Sequence, residues 1–259
     1  MRYYVVADTH GFYTKLTDAL EKAGYFADTG AKKLLILGDL LDRGPENVQM
    51  QDFVYDLLKR DEIILVRGNH EDLLEDLVDN LDRYGELDLH VSHHYRNRTV
   101  HTVCDIARCS VGAMTAIPHQ IRARMRQTPF MRYVMPAMLD YFETEHYVFV
   151  HGWIPLANVA PDGAPSQFVY DADWRDASLP RWQKARWYNG MEMAAKGLIV
   201  PDKTVVCGHY HCSWGHHFAG TSEEFSPDAD FSPYYADGVI AIDACTAYSG
   251  RVNVLVVDD

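Results

Sequence analysis

The sequence predicts an α/β fold, on three observations. Strand-like and helix-like apolar patterns alternate through the first third of the chain, the strand-like runs are near-continuously apolar, and polar clusters close five such runs. Continuous apolar runs are what a largely parallel sheet covered on both faces requires. Residues 2–8 read as the first strand, and Leu16, Ala19, Leu20 and Ala23 then share one helical face before Gly24 stops the helix. Residues 33–38 form the second strand, and Met50, Phe53, Val54, Leu57 and Leu58 stripe the next helix. Residues 62–67 form the third strand. Leu73, Leu74, Leu77, Val78 and Leu81 line a third helix, whose other side carries Glu75, Asp76, Asp79 and Asp82 as a solvated acidic face.

From Tyr84 to about Glu145 the pattern changes to a His- and Arg-rich stretch broken by Pro118, Pro129 and Pro136. It predicts helical pieces around 100–112, 118–127 and 130–142, inserted as a cap over about 85–145. Residues 157–200, rich in Pro, Trp and Asp, predict loop with one helix near 183–196, and residues 215–237 a long loop or hairpin. The polar clusters run from residue 8 to residue 211, so residues 1–259 predict one domain with an inserted lobe rather than two independent domains.

With 259 residues, 47% hydrophobic and 24% charged, the chain is long enough for a substantial core. No apolar stretch approaches the roughly 20 residues that span a bilayer, and Met1-Arg2 leads into a strand rather than a signal peptide. The expectation is a cytoplasmic protein with no membrane partner. Five cysteines are an odd number and exclude a complete disulfide framework. Cys207 and Cys212 flank one polar cluster, but with no Cys-x-x-Cys pair they read, like Cys104 and Cys109, as small thiols in a reducing compartment. A net charge of −13 argues against nucleic acid as a partner. It leaves room for a phosphorylated substrate, because bound cations and local arginines set the field inside a cleft.

The five polar clusters carry the chemistry. They are Asp8-Thr9-His10, Gly38-Asp39-Leu40-Leu41-Asp42-Arg43-Gly44, Arg67-Gly68-Asn69-His70-Glu71, His151-Gly152 and Gly208-His209-Tyr210-His211, fed by the runs 3–7, 34–37, 63–66, 147–150 and 204–207. Strands that end in polar turns deliver side chains to one edge of a sheet, so five such ends can converge on one site. Asp8 and His10, two residues apart, face the same side of an extended strand end. The two oxygens of a carboxylate such as Asp39 can bridge metals about 3.5–4 Å apart. Nitrogen and oxygen ligands without thiolate suit manganese, iron or zinc better than calcium or copper(I). The repeated pattern reads as a dinuclear metal hydrolase.

These clusters resemble the signature of the calcineurin-like metallophosphoesterases, and most closely the phosphoprotein phosphatase branch, which includes bacterial serine/threonine phosphatases and bis(5'-nucleosyl) tetraphosphatases. The resemblance covers residues 1–75, about 140–155 and 203–257, where 240–245 and 251–255 look like a closing pair of strands. It implies a four-layer α/β/β/α sandwich holding two divalent ions, manganese first, with iron or zinc as alternatives. By resemblance Asp8 and His10 ligate the first metal, Asp39 bridges, and Asn69, His151 and His209 complete the second. His211, in a Gly-His-x-His sequence, is favoured as a further first-metal ligand, with a supporting role beside the ligands as the alternative. His70 is implied as the general acid, Asp42 as the carboxylate that orients it, and Arg43 as a fork on the phosphate oxygens. Arg67 is a phosphate helper or a structural partner of Glu71. A further phosphate-gripping arginine is expected from a later loop, with Arg175 best placed and Arg181 and Arg186 as rivals. The implied nucleophile is a metal-activated hydroxide attacking phosphorus in line.

By the same resemblance the Asp42-Arg43-Gly44 triplet implies phosphomonoesters, including phosphoserine or phosphothreonine in proteins, as substrates, because the symmetrical tetraphosphatases usually carry Asn where Asp42 stands. The alternative is a dinucleoside tetraphosphate, whose base the Trp/Tyr-rich segment 170–188 could hold. The arginines 122, 124, 126 and 132 guide a polyanion or form a solvated face of the cap. A catalytically inactive binding module would be marked by a lost ligand, and none is lost.

Overall fold

The computed structural model describes residues 1–159 and 167–259. The strands are β1 (Arg2–Val6), β2 (Lys32–Leu37), β3 (Ile63–Val66), β4 (Phe142–Glu143), β5 (Tyr147–Phe149), β6 (Ala157–Val159), β7 (Gln167–Val169), β8 (Thr204–Cys207), β9 (Tyr234–Ala236), β10 (Val239–Ala241) and β11 (Leu255–Asp258). One sheet runs β11-β1-β2-β3 and the other β4-β5-β8-β10-β9, with β6 and β7 as a separate hairpin. The inner strands of both sheets pair in parallel, and antiparallel neighbours close β1 on one side of the first sheet and both sides of the second.

The period of two along each strand sorts the core into layers. Tyr3, Val5 and Ala7 point between the sheets with Leu35, Leu37, Val66, Phe149, Val206, Ile242 and Val257. Tyr4, Val6, Leu34 and Ile36 point the other way, against Leu16, Leu20, Met50, Val54, Leu74 and Leu77 of the helices Tyr13–Lys22, Asn47–Lys59 and Asn69–Asp79. On the far side Val148, Val150, Val205 and Cys207 meet Trp182, Met191 and Cys212 of the helices Leu179–Ala185, Gly190–Ala195 and Cys212–Phe218. Each buried aliphatic side chain stabilises by about 1.5–3 kcal/mol, so three stacked apolar layers fix a four-layer α/β/β/α sandwich. Among the described residues, no helix is long and apolar enough to cross a membrane.

The stretch 85–145 is helical in shorter pieces than its sequence suggests: Glu86–Val91, His93–Arg96, Thr99–Ala107, Val111–Ala116, Pro118–Arg126 and Met135–Ala137, with a π-turn at Phe130–Val134. Its apolar residues Leu89, Val100, Val103, Ile106, Met125 and Phe130 join the helical core of the first sheet. The expected helix over 130–142 stops at Ala137 because β3 captures the next backbone: Leu139 N–H donates to Leu65 O at 2.9 Å and Arg67 N–H to Leu139 O at 2.8 Å. One helix near 183–196 becomes two, because the Asn189 side chain accepts from Met191 N–H at 3.1 Å and Glu192 N–H at 3.3 Å and starts a new helix. Part of the expected 157–200 loop is the β6–β7 hairpin, and residues 160–166 lie outside the described residues. The expected long loop at 215–237 begins inside the helix Cys212–Phe218. The closing strands do not pair with each other: β10 lies beside β8, and β11 beside β1.

Candidate active site

The site forms where strands from both sheets run out. Asp8 and His10 follow β1, Asp39 follows β2, Asn69 and His70 follow β3, His151 follows β5 and His209 follows β8. The turns are tight enough to force left-handed backbone at Asp8 (φ 52°), His10 (47°), Asp39 (53°), Asp42 (73°), Arg43 (53°) and His209 (64°). Asp and His tolerate that region better than most residues, and such strain collects at functional sites. Two glycines let the turns close: a Cβ on Gly208 would lie 2.2 Å from Asp8 Oδ2, and one on Gly68 would lie 2.2 Å from Asp39 Oδ1.

Two groups of ligand atoms share Asp39. Those of His10, Asp39 and His70 lie within 4.8 Å of one another, as do those of Asp39, His151 and His209. Asp8 joins them through its Oδ2, which accepts from His209 N–H at 2.8 Å. His10 and His151 each present Nδ1 to a backbone carbonyl, Leu41 O at 3.1 Å and Leu37 O at 2.7 Å. A carbonyl only accepts, so Nδ1 carries the proton and the Nε2 lone pair faces the cluster. The carbonyls set the tautomer that a metal ligand needs.

The charge balance fits cations. Burial lowers the pKa of His10 and His151 and brings His209 down to about 3, so these rings are neutral. Burial raises Asp8 well above the usual carboxylate range, with Asp243 and Asp39 beside it adding to the rise, and burial pushes Asp243 up to about 7. His151 Nε2 sits 2.8 Å from Asn69 Oδ1 and 3.4 Å from Asp39 Oδ1, lone pairs against lone pairs. Crowded carboxylates and converging lone pairs are the donor set of a divalent-ion site.

His70 is held differently. Its Nδ1 donates to Asp42 Oδ2 at 2.6 Å, and its Nε2 accepts from Arg43 Nη2 at 3.1 Å. Burial works to lower its pKa, but Asp39 and the Asp42 bond outweigh burial and leave it raised. Arg43 is exposed while Asp42 and His70 are buried, so the arginine forms the rim.

The remaining sequence candidates have other partners. His211 Nε2 is 2.9 Å from Glu224 Oε1 and outside both ligand groups. Arg67 pairs with Asp72 at 2.8 Å and with Glu75, not with Glu71. Arg175 bonds Glu143 at 2.5 Å and lies over the Trp174 ring. Arg181 pairs with Asp171, and buried Arg186 with Asp72 and Asp140.

Two acids in the site escaped the sequence reading. Asp243 follows β10 as Asp39 follows β2, and the apolar run before it was the available signal. Buried Glu71 accepts from Asp39 N–H at 2.9 Å, Gly68 N–H at 2.8 Å and Leu40 N–H at 2.9 Å, so one carboxylate buckles the ends of β2 and β3 together. Burial raises its pKa to about 7.

The model of the calcineurin-like phosphoesterase family matches residues 1–213. The asymmetrical bis(5'-nucleosyl)-tetraphosphatase PrpE of a Geobacillus species is 37% identical over 76 residues, 27% of this chain and 31% of that protein. Its counterpart from Geobacillus thermodenitrificans is 42% identical over 72 residues, 26% of this chain and 29% of that protein. The matched stretch thus spans under a third of these relatives. The cold-active protein-tyrosine phosphatase of a psychrophilic Shewanella superposes with a TM-score of 0.52 at 16% identity, covering 100% of this chain and 75% of that one, a likeness of fold.

Proposed function

The chain belongs to the calcineurin-like phosphoesterase family, and from that premise we propose that it hydrolyses phosphomonoesters, phosphoserine and phosphothreonine among them. The observation that carries the reading is the pair of ligand groups sharing Asp39, with His70 of one group bonded to Asp42 and to Arg43 at the rim. Asp8, His10 and Asp39 would hold one divalent ion, and Asp39, Asn69, His151 and His209 a second. Manganese is the first choice, with iron or zinc as alternatives. Such ions, when bound, would supply an activated water and offset the charge on phosphate.

The chain's own residues do the rest. Arg43 binds phosphate oxygens through its planar fork. A phosphate that draws Arg43 outward frees the His70 Nε2 lone pair to take up a proton from water, and the resulting imidazolium gives that proton to the leaving oxygen as the phosphorus–oxygen bond breaks. Asp42 keeps the imidazole in the tautomer and orientation for that transfer. The five free thiols accord with a reducing compartment such as the cytoplasm.

A second reading, hydrolysis of dinucleoside tetraphosphates, is supported by the name of the relatives that match 76 and 72 residues of this chain. The separating experiment compares manganese-loaded protein on phosphoserine and phosphothreonine peptides and on diadenosine tetraphosphate. Faster peptide turnover is the expected result. Faster tetraphosphate cleavage overturns it in favour of the second reading, and no turnover of either overturns both.

A further inference from the structure

We propose that Thr99 and Thr102, on the inserted helix Thr99–Ala107, are positioning residues for the proton donor, so that the insertion helps set the rate at which the leaving group departs. The inference rests on the reading of His70 as that donor. Asp42 Oδ2 accepts from Thr99 Oγ1 at 2.7 Å and from His70 Nδ1 at 2.6 Å, and Asp42 Oδ1 accepts from Thr102 Oγ1 at 2.5 Å. Both threonines and Asp42 are buried, with no more than 1% of their surface exposed. The same helix reaches the loop a third time: Asp105 Oδ2 accepts from Asn47 Nδ2 at 2.9 Å, and Asn47 Oδ1 accepts from Asp42 N–H at 3.1 Å. Residues 99, 102 and 105 follow each other at intervals of three along one side of the helix.

The physical consequence is a carboxylate that cannot turn. An ionised carboxylate offers about four acceptor positions, and here two hydroxyls and one imidazole occupy three of them from fixed directions. Left-handed backbone at Asp42 (φ 73°) and Arg43 (φ 53°) leaves the loop little intrinsic preference for this shape, so the helix supplies the constraint. With Asp42 fixed, the His70 ring plane is fixed, and Nε2 stays aimed at the ligand cluster. Orientation within about 0.5 Å is what proton transfer to a leaving oxygen demands. In that step an incoming water oxygen bonds to phosphorus as the bond to the leaving oxygen breaks, the broken bond's electron pair stays on the leaving oxygen, and that oxygen takes the proton that Nε2 acquired once Arg43 turned to the phosphate.

The test uses leaving groups. A serine alkoxide departs poorly unless protonated, whereas p-nitrophenolate is stable as an anion and needs the donor far less. Thr102→Val removes one hydroxyl without changing shape. We expect kcat on a phosphoserine peptide to fall about tenfold, a fraction of the 10²–10⁴ that general acids contribute, with KM little changed. On p-nitrophenyl phosphate the loss should be several times smaller, and Thr102→Ser should restore both. Equal losses on the two substrates, or no loss on either, overturn the proposal. The second measurement is a double-mutant cycle of Thr102→Ala, whose smaller side chain fits the site if valine does not, with His70→Asn, and Thr102→Ser and Thr99→Ser serve as controls that keep a hydroxyl. In the His70→Asn protein, Thr102→Ala should cost nothing further on the phosphoserine peptide, and a full additional loss overturns the positioning role. If His70→Asn alone turns over that peptide at the normal rate, it is the proton-donor reading that fails.

Discussion

The guanidinium of Arg43 donates through Nη2 to Nε2 of His70 at 3.1 Å, so the cation proposed for phosphate and the group proposed as proton donor hold each other. A phosphate competing for Arg43 would release the nitrogen that must act on the leaving oxygen. Arg43→Ala should therefore lower kcat/KM about 10²–10³-fold, the scale for losing one preorganised donor. Arg43→Lys should recover little, because an ammonium lacks the fork. Steady-state kinetics on a phosphoserine peptide decide the matter.

His70→Asn is expected to cut kcat by about 10²–10⁴ while metal content measured by mass spectrometry stays at the normal level. Asp39→Asn, which alters the carboxylate common to both ligand groups, should lose metal outright. A fully active His70→Asn protein removes His70 from the mechanism.

Asp243 crowds Asp8 and Asp39 inside the cluster, and its pKa is pushed up to about 7 by burial. Asp243→Asn removes one member of that repulsion. The chelated protein should melt higher than the unaltered one, by about 2–4 °C per kcal/mol gained, while manganese should bind more weakly. Thermal melts with chelator and with added manganese read both effects. A lower Tm in chelator would contradict the assignment.

At the sheet edge, hydrogen bonding to Arg175 and then Lys203 holds the Glu143 carboxyl at about 2, against burial that would raise it. A depressed folded value means that Glu143 contributes stability above its unfolded pKa of about 4.3, which is lost as pH falls toward 2. Glu143→Gln should destabilise the protein at pH 6 and converge with the unaltered protein near pH 2. Urea midpoints across that interval measure it, and a constant difference would refute it.

Trp187 is 51% exposed, with its ring edge-on to His209 at a centroid distance of 5.7 Å. An exposed indole beside the cluster suits a nucleobase, whose stacking contributes about 1–3 kcal/mol. If dinucleoside tetraphosphates are substrates, Trp187→Ala should raise their KM about 5- to 150-fold and leave phosphoserine peptides much less affected. Equal effects on both would deny the indole a role in base binding.

The strand ends were legible because chemistry and pattern coincide there: an apolar run, then Asp, Asn or His beside Gly. Asp243 obeys the same grammar after β10, but Ala241-Ile242 extends the apolar run up to it and Cys245 offers no second ligand to mark it. Thr99 and Thr102 carry no signal in the chain at all, since two threonines three apart on a helix are ordinary until Asp42 is seen beneath them. Arg67 and Arg175 are engaged by acids the sequence reading did not single out, Glu75 on the helix that follows Arg67 and Glu143 on β4. Short helices in 85–145 were blurred because their lengths depend on captures such as Leu139 beside β3.

Asp8, His10, Asp39 and Asn69 hang from β1, β2 and β3 of one sheet, whereas His151, His209 and Asp243 hang from β5, β8 and β10 of the other. The ion held by Asp39, Asn69, His151 and His209 would rivet the two halves of the sandwich across their seam. Sliding one sheet over the other by about 0.5 Å, the tolerance of a working constellation, spoils the grip long before the protein unfolds. Trimming the seam at Phe149 or Val206 would then surface first as lost metal, which makes ion occupancy a gauge of how well the sheets are seated.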